Sequence, residues 1–253
     1  MGDFGAPAEH RVMTPQFLVG PDSLYGARAV LTGAELHHLR VRRLHAGSEV
    51  ILSDGLGHQR RGVVVALDRR QAVVVFQPQE LSRRESSLRL VLAQAVLKAD
   101  RMDLVVEKAT EIGVSEFLVF ECERSIGRIS PNRHARWLRV ARGATKQSQR
   151  STVPAIACIS FEQLLLRSEP LRLLFWEGEP AASLATVHGA PPAALAAVGP
   201  EGGFSKAEVE QASARGFHVV GLGPRTLRAE TAAVVAVALC QFLWGDLNRR
   251  HLG

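Results

Sequence analysis

Two stretches of this sequence combine glycines with a few charged side chains. They are Gly199-Pro200-Glu201-Gly202-Gly203-Phe204-Ser205 and, shortly after, Gly221-Leu222-Gly223-Pro224-Arg225-Thr226-Leu227-Arg228-Ala229-Glu230-Thr231. Glycine lets a backbone approach a ligand closely and expose its amides. Neither stretch fits a phosphate cradle, since there is no G-x-x-x-x-G-K-[ST] and no G-x-G-x-x-G opening a helix. A nucleoside triphosphate or a dinucleotide is therefore disfavoured. An adenosine-bearing cofactor without phosphate remains open, as does the plainer reading that both stretches are tight turns. Arg228 is a candidate for stabilising a developing anion or holding a phosphate, with a salt bridge to Glu230 as the alternative. Arg225 is a weaker candidate for the same work. Glu201 either favours a bound cation or caps the following helix, and Glu230 and Thr231 start the last helix, where a carboxylate is favourable.

The elements that must hold these loops read as strands and helices in alternation. Leu88–Leu97 is an apolar strand-like run. Asp100 then starts a helix with Met102, Val105, Val106, Ala109 and Ile112 at helical spacing, stopped by Gly113. Further strands are expected at 117–120, 171–176, 194–198 and 217–222. Helices are expected from Ser130-Pro131, from the Ser160/Gln163 and Ser205/Glu208 capping boxes, and over 231–243. Such alternation predicts an α/β unit with a mostly parallel sheet, and in such sheets ligands sit at the carboxyl ends of strands. Before it, a capping-box pattern at Thr32/Glu35 predicts a short helix, and three β-rich runs at 49–53, 62–67 and 72–76 predict a small barrel or sandwich. The expected boundaries are a loose tail at 1–12, the β unit at 13–80, a polar linker at 81–87 and the α/β unit at 88–253.

Composition narrows the classes. The chain has 253 residues, 46% of them hydrophobic and 22% charged, so it can bury a core and is not a disordered or fibrous chain. No apolar stretch reaches membrane-span length, and the first residues lack a basic segment followed by an apolar core, so neither a membrane partner nor a secretory signal is expected. Cys122, Cys158 and Cys240 are few and far apart, which suits reduced thiols in a cytoplasmic protein and no metal site. His37 and His38 lack the spacing of metal ligands.

The formal charge is +6, from 31 Lys plus Arg against 25 Asp plus Glu. Eight basic residues (Arg124, Arg128, Arg133, Arg136, Arg139, Arg142, Lys146, Arg150) and no acidic ones fall between 124 and 150. Arg139, Arg142, Lys146 and Arg150 follow at helical steps without a compensating acid nearby in sequence, which reads either as a solvated face or as a track for the phosphates of a polyanion. Gln147 and Arg150 either end that helix or reach a bound polyanion or the active site from a partner subunit. On the other side of that helix Trp137, Ala141 and Ala144 read as core.

GPEGGFS followed by LGPRTLRAETA is similar to the paired signature of the bacterial 16S rRNA (uracil-N3)-methyltransferase family. HHLRVRRLHAG at 37–47, DLVVEKATEIGV at 103–114 and ATKQSQRSTVPAI at 144–156 extend the resemblance in the same order. It implies a SPOUT-type, trefoil-knotted parallel sheet domain preceded by a small PUA-like β-barrel, acting as a homodimer on small-subunit ribosomal RNA with S-adenosyl-L-methionine. Carried over by motif, the cofactor would meet Val198, Gly199, Pro200, Glu201, Gly202, Gly203, Leu222, Gly223, Leu227, Arg228 and Thr231. Arg228, Glu201 and Glu230 are the candidate catalytic residues. Arg40, Arg42, Arg43, Arg60 and Arg61 of the barrel join Arg124, Arg139, Arg142, Lys146, Gln147 and Arg150 as candidate RNA contacts. Two other readings stay open: a non-catalytic ribosome-binding or assembly factor, and a SPOUT enzyme acting on a ribose 2′-hydroxyl or another base.

Overall fold

The computed structural model describes residues 13–81, 84–98, 100–178, 182–189 and 191–248. The expected tail at 1–12 and linker residues 82 and 83 lie outside them. The chain divides into two units, Met1–Ser82 and Arg83–Gly253.

In the first unit, strands β1 (Gln16–Leu18), β2 (Arg28–Leu31), β3 (Glu49–Ser53), β4 (Gln59–Leu67) and β5 (Ala72–Glu80) form one curled sheet in the order β1-β3-β4-β5-β2. Helix α1 (Gly33–Val41) buries Leu36 and Leu39 in a core with Phe17, Leu31, Leu52, Val64 and Val74. The expected capping box at its start is not made: Thr32 forms no side-chain cap, and Glu35 instead accepts the Leu18 amide at 3.4 Å, tying the helix to β1. β1 and β2 were not anticipated. β5 runs to Glu80, past the first polar residues after Phe76, because strand pairing with β4 continues to Arg60↔Glu80.

In the second unit, β6 (Arg89–Ala95), β7 (Glu116–Glu121), β8 (Ala155–Ser160), β9 (Leu171–Phe175), β10 (Ala182–Ser183), β11 (Ala193–Val198) and β12 (His218–Gly221) make an all-parallel sheet in the order β10-β12-β9-β11-β6-β7-β8. Successive side chains of a strand point to opposite faces, and the cores follow that rule. Leu90, Leu92, Ala194, Ala196 and Val198 face one cluster with helices α2 (Arg101–Ile112), α3 (Pro131–Ser148) and α6 (Ala229–Trp244). Val91, Ala93, Leu195 and Ala197 face the other, with α4 (Phe161–Leu165) and α5 (Lys206–Ala214). Both capping boxes foreseen for α4 and α5 form, and Gly113 ends α2 in the left-handed region at φ +106°. The residues after the unit boundary are docked: Glu85 accepts from Arg150 and the Ser151 and Thr152 amides, and Ser86 donates to Gln241 at 2.7 Å. Among the described residues no helix is long and apolar enough to cross a membrane.

The β3–β4 turn is held by Asp54, whose carboxylate accepts the Leu56 and His58 amides at 2.7 and 3.1 Å and the His58 ring at 2.7 Å. Burial pushes this carboxyl up, but the hydrogen bonds from Leu56 and His58 outweigh it and hold it below the ordinary 3.8. A depressed folded-state value gives stability that is complete above the unfolded value and lost as pH falls through the folded one. Asp54→Asn is therefore expected to lower the stability of the first unit by about 1–2 kcal/mol at pH 7, in urea unfolding. The gap between variant and parent should close below about pH 4.

Candidate active site

The loop after β11 begins at Gly199 and is fixed at three points. Gln94 of β6, fully buried, donates to the Gly199 carbonyl at 3.1 Å. The Gly203 amide closes a turn onto the Pro200 carbonyl at 2.9 Å, with Gly203 at φ +66°, a conformation that favours glycine. Phe204 is buried, stacked on Phe120 with ring centroids 6.2 Å apart. A side chain at Gly199 would meet the Phe204 amide nitrogen at 3.1 Å, so this close approach also favours glycine. Ser205 and Glu208 then cap α5 reciprocally.

Because β12 and β11 are parallel members of one sheet, the loop after β12 opens on the same edge. Between the two loops lies a pocket. Val198, Gly199, Pro200, Glu201 and Gly203 line one side, Leu222, Gly223, Arg225, Thr226 and Leu227 the other, and Ala229 and Ala232 of α6 contribute as well. Gly223, at φ +94°, has open space where a side chain would project. Of the residues named from motif, Gly202, Arg228 and Thr231 are not in the lining. The Gly202 carbonyl accepts from Arg124 at 3.1 Å, Thr231 is exposed on α6, and Arg228 lies between two lining residues. Sequence reasoning missed Phe175, Trp176 and Glu177, which complete the pocket after β9. The available signal was an acidic residue just past a buried parallel strand, at the edge where such sheets bind ligands. Glu177 is exposed and has no partner among the described residues.

The charges pair in an unexpected way. Glu201 does not cap α5, whose start Ser205 already satisfies. Its Oε1 instead accepts the Lys98 amide at 3.0 Å and lies 3.5 Å from Arg101 Nη1. Arg101 Nε is also 3.9 Å from Glu230 Oε1, so one guanidinium faces a carboxylate from each side of the pocket region. The second oxygens of Glu201 and Glu230 are buried without a partner among the described residues. No Arg228–Glu230 ion pair forms. Arg228 is the N-cap residue of α6, exposed, and its guanidinium has no partner among the described residues.

The basic segment needs correction. Arg150 lies beyond the end of α3, after Gln149 turns the chain at φ +58°, and is only 3% exposed. Its guanidinium binds Glu85 at 2.7 Å and the Thr110 and Val114 carbonyls at 2.9 and 2.8 Å, so it is an interior brace and not an RNA contact. The absence of acids nearby in sequence also misled: Arg128 pairs with Glu121 at 2.7 Å and Arg136 with Asp103. Arg133 donates to the Leu97 and Arg128 carbonyls and lies over Trp137. Arg139, Arg142 and Gln147 remain exposed on one face of α3, with Lys146 half-buried beside them in sequence. In the first unit Arg40 donates to the Asp68 carbonyl, Arg42 to the His38 ring, Arg60 to the Gln59 carbonyl, and Arg61 faces Glu49 at 3.2 Å. Arg43 is exposed at φ +55°.

A second concavity, at the ends of β7 and β8, is lined by Glu121, Glu123, Glu162, Glu208 and Cys122. Four carboxylates suit no polyanion. Burial pushes the Cys122 thiol up to about 11 and Cys240 up to about 12, so neither is a thiolate nucleophile at neutral pH.

A parallel α/β unit with a glycine-walled pocket at its strand ends and no phosphate-cradle motif, preceded in the chain by a curled β unit, is the architecture of a SPOUT-class RNA methyltransferase with a PUA-like domain. Residues 84–241 match the RNA methyltransferase domain family and residues 31–77 the RNA methyltransferase PUA domain. The chain belongs to the family of ribosomal RNA small subunit methyltransferase E. It is 31% identical over 229 residues to the Bacillus subtilis enzyme of that name, covering 84% of this chain and 89% of the relative. The Synechocystis enzyme is 33% identical over 235 residues, covering 90% and 77%. The crystal structure of the Neisseria gonorrhoeae enzyme bound to S-adenosyl methionine superposes with a TM-score of 0.87 at 32% identity, covering 93% of this chain and all of that one.

The two kinds of arginine should separate experimentally. Replacing Arg139 and Arg142 by glutamine is expected to weaken RNA binding and reduce the slope of log affinity against log salt by about one unit per arginine, read in filter-binding titrations. Arg150→Ala should leave that slope unchanged and lower folding stability by about 3 kcal/mol, because it leaves the half-buried Glu85 carboxylate without its cation and the Thr110 and Val114 carbonyls without their donor.

Proposed function

We propose that this protein transfers a methyl group from S-adenosylmethionine to N3 of one uridine in small-subunit (16S) ribosomal RNA, on the assembled subunit, in the bacterial cytoplasm and as a homodimer. The observation that carries the reading is the pairing of a glycine-walled pocket that has no phosphate-cradle motif with an arginine, Arg228, left unneutralised at its rim. The lining fits the cofactor. Val198, Leu222, Leu227 and Ala229 offer apolar surface for adenine, the glycine backbones offer amides and carbonyls, and no lysine-bearing cradle intrudes. Glu177 is the lining carboxylate with no protein partner among the described residues, suited to a ribose diol or a cationic group.

When bound, S-adenosylmethionine supplies an electrophilic methyl group on a sulfonium. The residues of the chain hold the geometry and the charge. Loss of the N3 proton to solvent water spreads negative charge onto the flanking uracil oxygens, and Arg228 is the donor for that charge. Held in line with the methyl group, the deprotonated base gains rate from proximity alone. Glu201 and Glu230 act through placement, as partners of Arg101. The thiols of Cys122 and Cys240 have no part, because N3 is itself the nucleophile.

Uracil N3 lies on the pairing edge, so the target must be unpaired or flipped out. Arg139, Arg142, Lys146 and Gln147 on α3, together with Arg124, form the RNA track of the second unit. Arg40, Arg42, Arg43, Arg60 and Arg61 supply phosphate contacts from the first. The exposed Arg61–Glu49 pair exchanges readily for a phosphate, since surface pairs contribute little. A second copy is supported by α6, whose Val234, Val235 and Ala238 are half-exposed and whose Phe242 and Leu243 are 53% and 41% exposed. Phe242→Glu is expected to shift the chain to a monomer in sedimentation experiments.

The direct test incubates labelled cofactor with small subunits or naked RNA and follows with reverse transcription. N3 methylation blocks pairing and should stop the polymerase at one uridine; full-length reads after efficient incorporation would sink the N3 assignment. Arg228→Ala should reduce turnover by about a hundredfold or more while calorimetry finds cofactor affinity nearly unchanged. Near-normal turnover would remove Arg228 from the reaction. Absence of saturable cofactor heat in the parent protein would favour a pure binding factor.

A further inference from the structure

We propose that Arg101 is a positioning residue whose task is to occupy Glu230, and with it Glu201, so that Arg228 stays free for the substrate. The proposal rests on the reading of Arg228 given above. Arg228 and Glu230 stand two residues apart at the start of α6, the guanidinium exposed and the carboxylate 8% exposed. Within a helix residues two apart do not face each other, but Arg228 is the extended N-cap, at φ −64° and ψ 149°, so its long side chain is free to turn toward Glu230, a buried carboxylate poorly screened by salt. Here they do not pair. Glu230 faces the Nε of Arg101 at 3.9 Å, and the Nη1 of that same side chain faces Glu201 at 3.5 Å.

Arg101 is the first residue of α2, which packs along α6, so its place is set by the helices and not by the loops it serves. Two cations and two carboxylates therefore balance locally, but asymmetrically: Arg101 takes both acids and Arg228 takes neither. Glu201 is further held by the Lys98 amide at 3.0 Å, whereas no other protein group among the described residues binds the Glu230 carboxylate. Without Arg101, the nearest cation in sequence to Glu230 is Arg228. Capture of Arg228 would quench the charge that the deprotonated uracil needs, with no change in the cofactor pocket.

The test is a suppression experiment in the full-length protein, with kcat measured at saturating S-adenosylmethionine on small subunits and cofactor Kd measured by calorimetry. Arg101→Ala is expected to lower kcat by about ten- to a hundredfold while the cofactor Kd changes by less than about threefold. Adding Glu230→Gln to that variant should restore most of the lost kcat, because the amide cannot hold the Arg228 guanidinium as an ion pair. A purely structural loss would raise the cofactor Kd together with the fall in kcat. Should Arg101→Ala fail to fold, Arg101→Gln carries the same comparison. Wild-type turnover in Arg101→Ala, or a double variant as slow as the single one, overturns the proposal. Arg228→Ala run alongside separates the two ideas: if it is inactive while Arg101→Ala is normal, only the role of Arg101 fails; if it is fully active, the reading of Arg228 fails and this proposal with it.

Discussion

The placement of β11 governs the second unit. This strand comes late in the chain, yet it lies between β6 and β9, pairing along Ala193–Val198 with Arg89–Gln94 on one side and along Ala194–Val198 with Leu171–Phe175 on the other. A parallel strand flanked on both sides has its backbone groups satisfied and both its faces buried, which suits the small and apolar sequence AALAAV. Its carboxyl end is thereby held in the middle of the sheet edge. Gly199 starts there, Gln94 reaches its carbonyl from the neighbouring strand, and Phe204 locks the far end of the loop into the opposite core. The pocket is the gap between this anchored loop and the one after β12.

The electrostatics follow from the same scaffold. Helix starts at α2 and α6 bring Arg101, Glu230 and Arg228 together, while the loop after β11 brings Glu201. Elsewhere the acids that neutralise the basic segment come from other elements: Glu121 from the end of β7, Asp103 from α2, Glu85 from the residues just after the unit boundary. Of the candidate RNA contacts on α3, Arg139, Arg142 and Gln147 remain exposed. A charge count along the chain locates cations, but only the fold decides which of them are already engaged.

Five strands of the second unit (β6, β7, β9, β11 and β12), its helix starts and its two glycine loops were readable because each has a local cause: burial on both faces, a capping side chain, a glycine that permits a close turn; the edge strands β8 and β10 were not. Elements that depend on distant partners were not. β1 is three residues long and exists because it pairs with β3; β10 is two residues long and pairs with β12. Glu35 carries the pattern of a capping residue, yet its carboxylate serves the amide of Leu18, which no local rule anticipates.

By itself, then, the sequence determined the alternating architecture, the absence of a phosphate-cradle motif and the two glycine loops that line the pocket, since all three rest on residue type and short-range spacing. It also carried the resemblance that the family matches bear out. Only the tertiary structure decided that Glu177 and Trp176 join the pocket, that Arg150 is an interior brace, and that Glu230 belongs to Arg101 and not to its neighbour Arg228. The physical reason is the same in each case. An ion pair or a pocket wall depends on distances between elements far apart in the chain, and those distances are set by how the strands order themselves in the sheet.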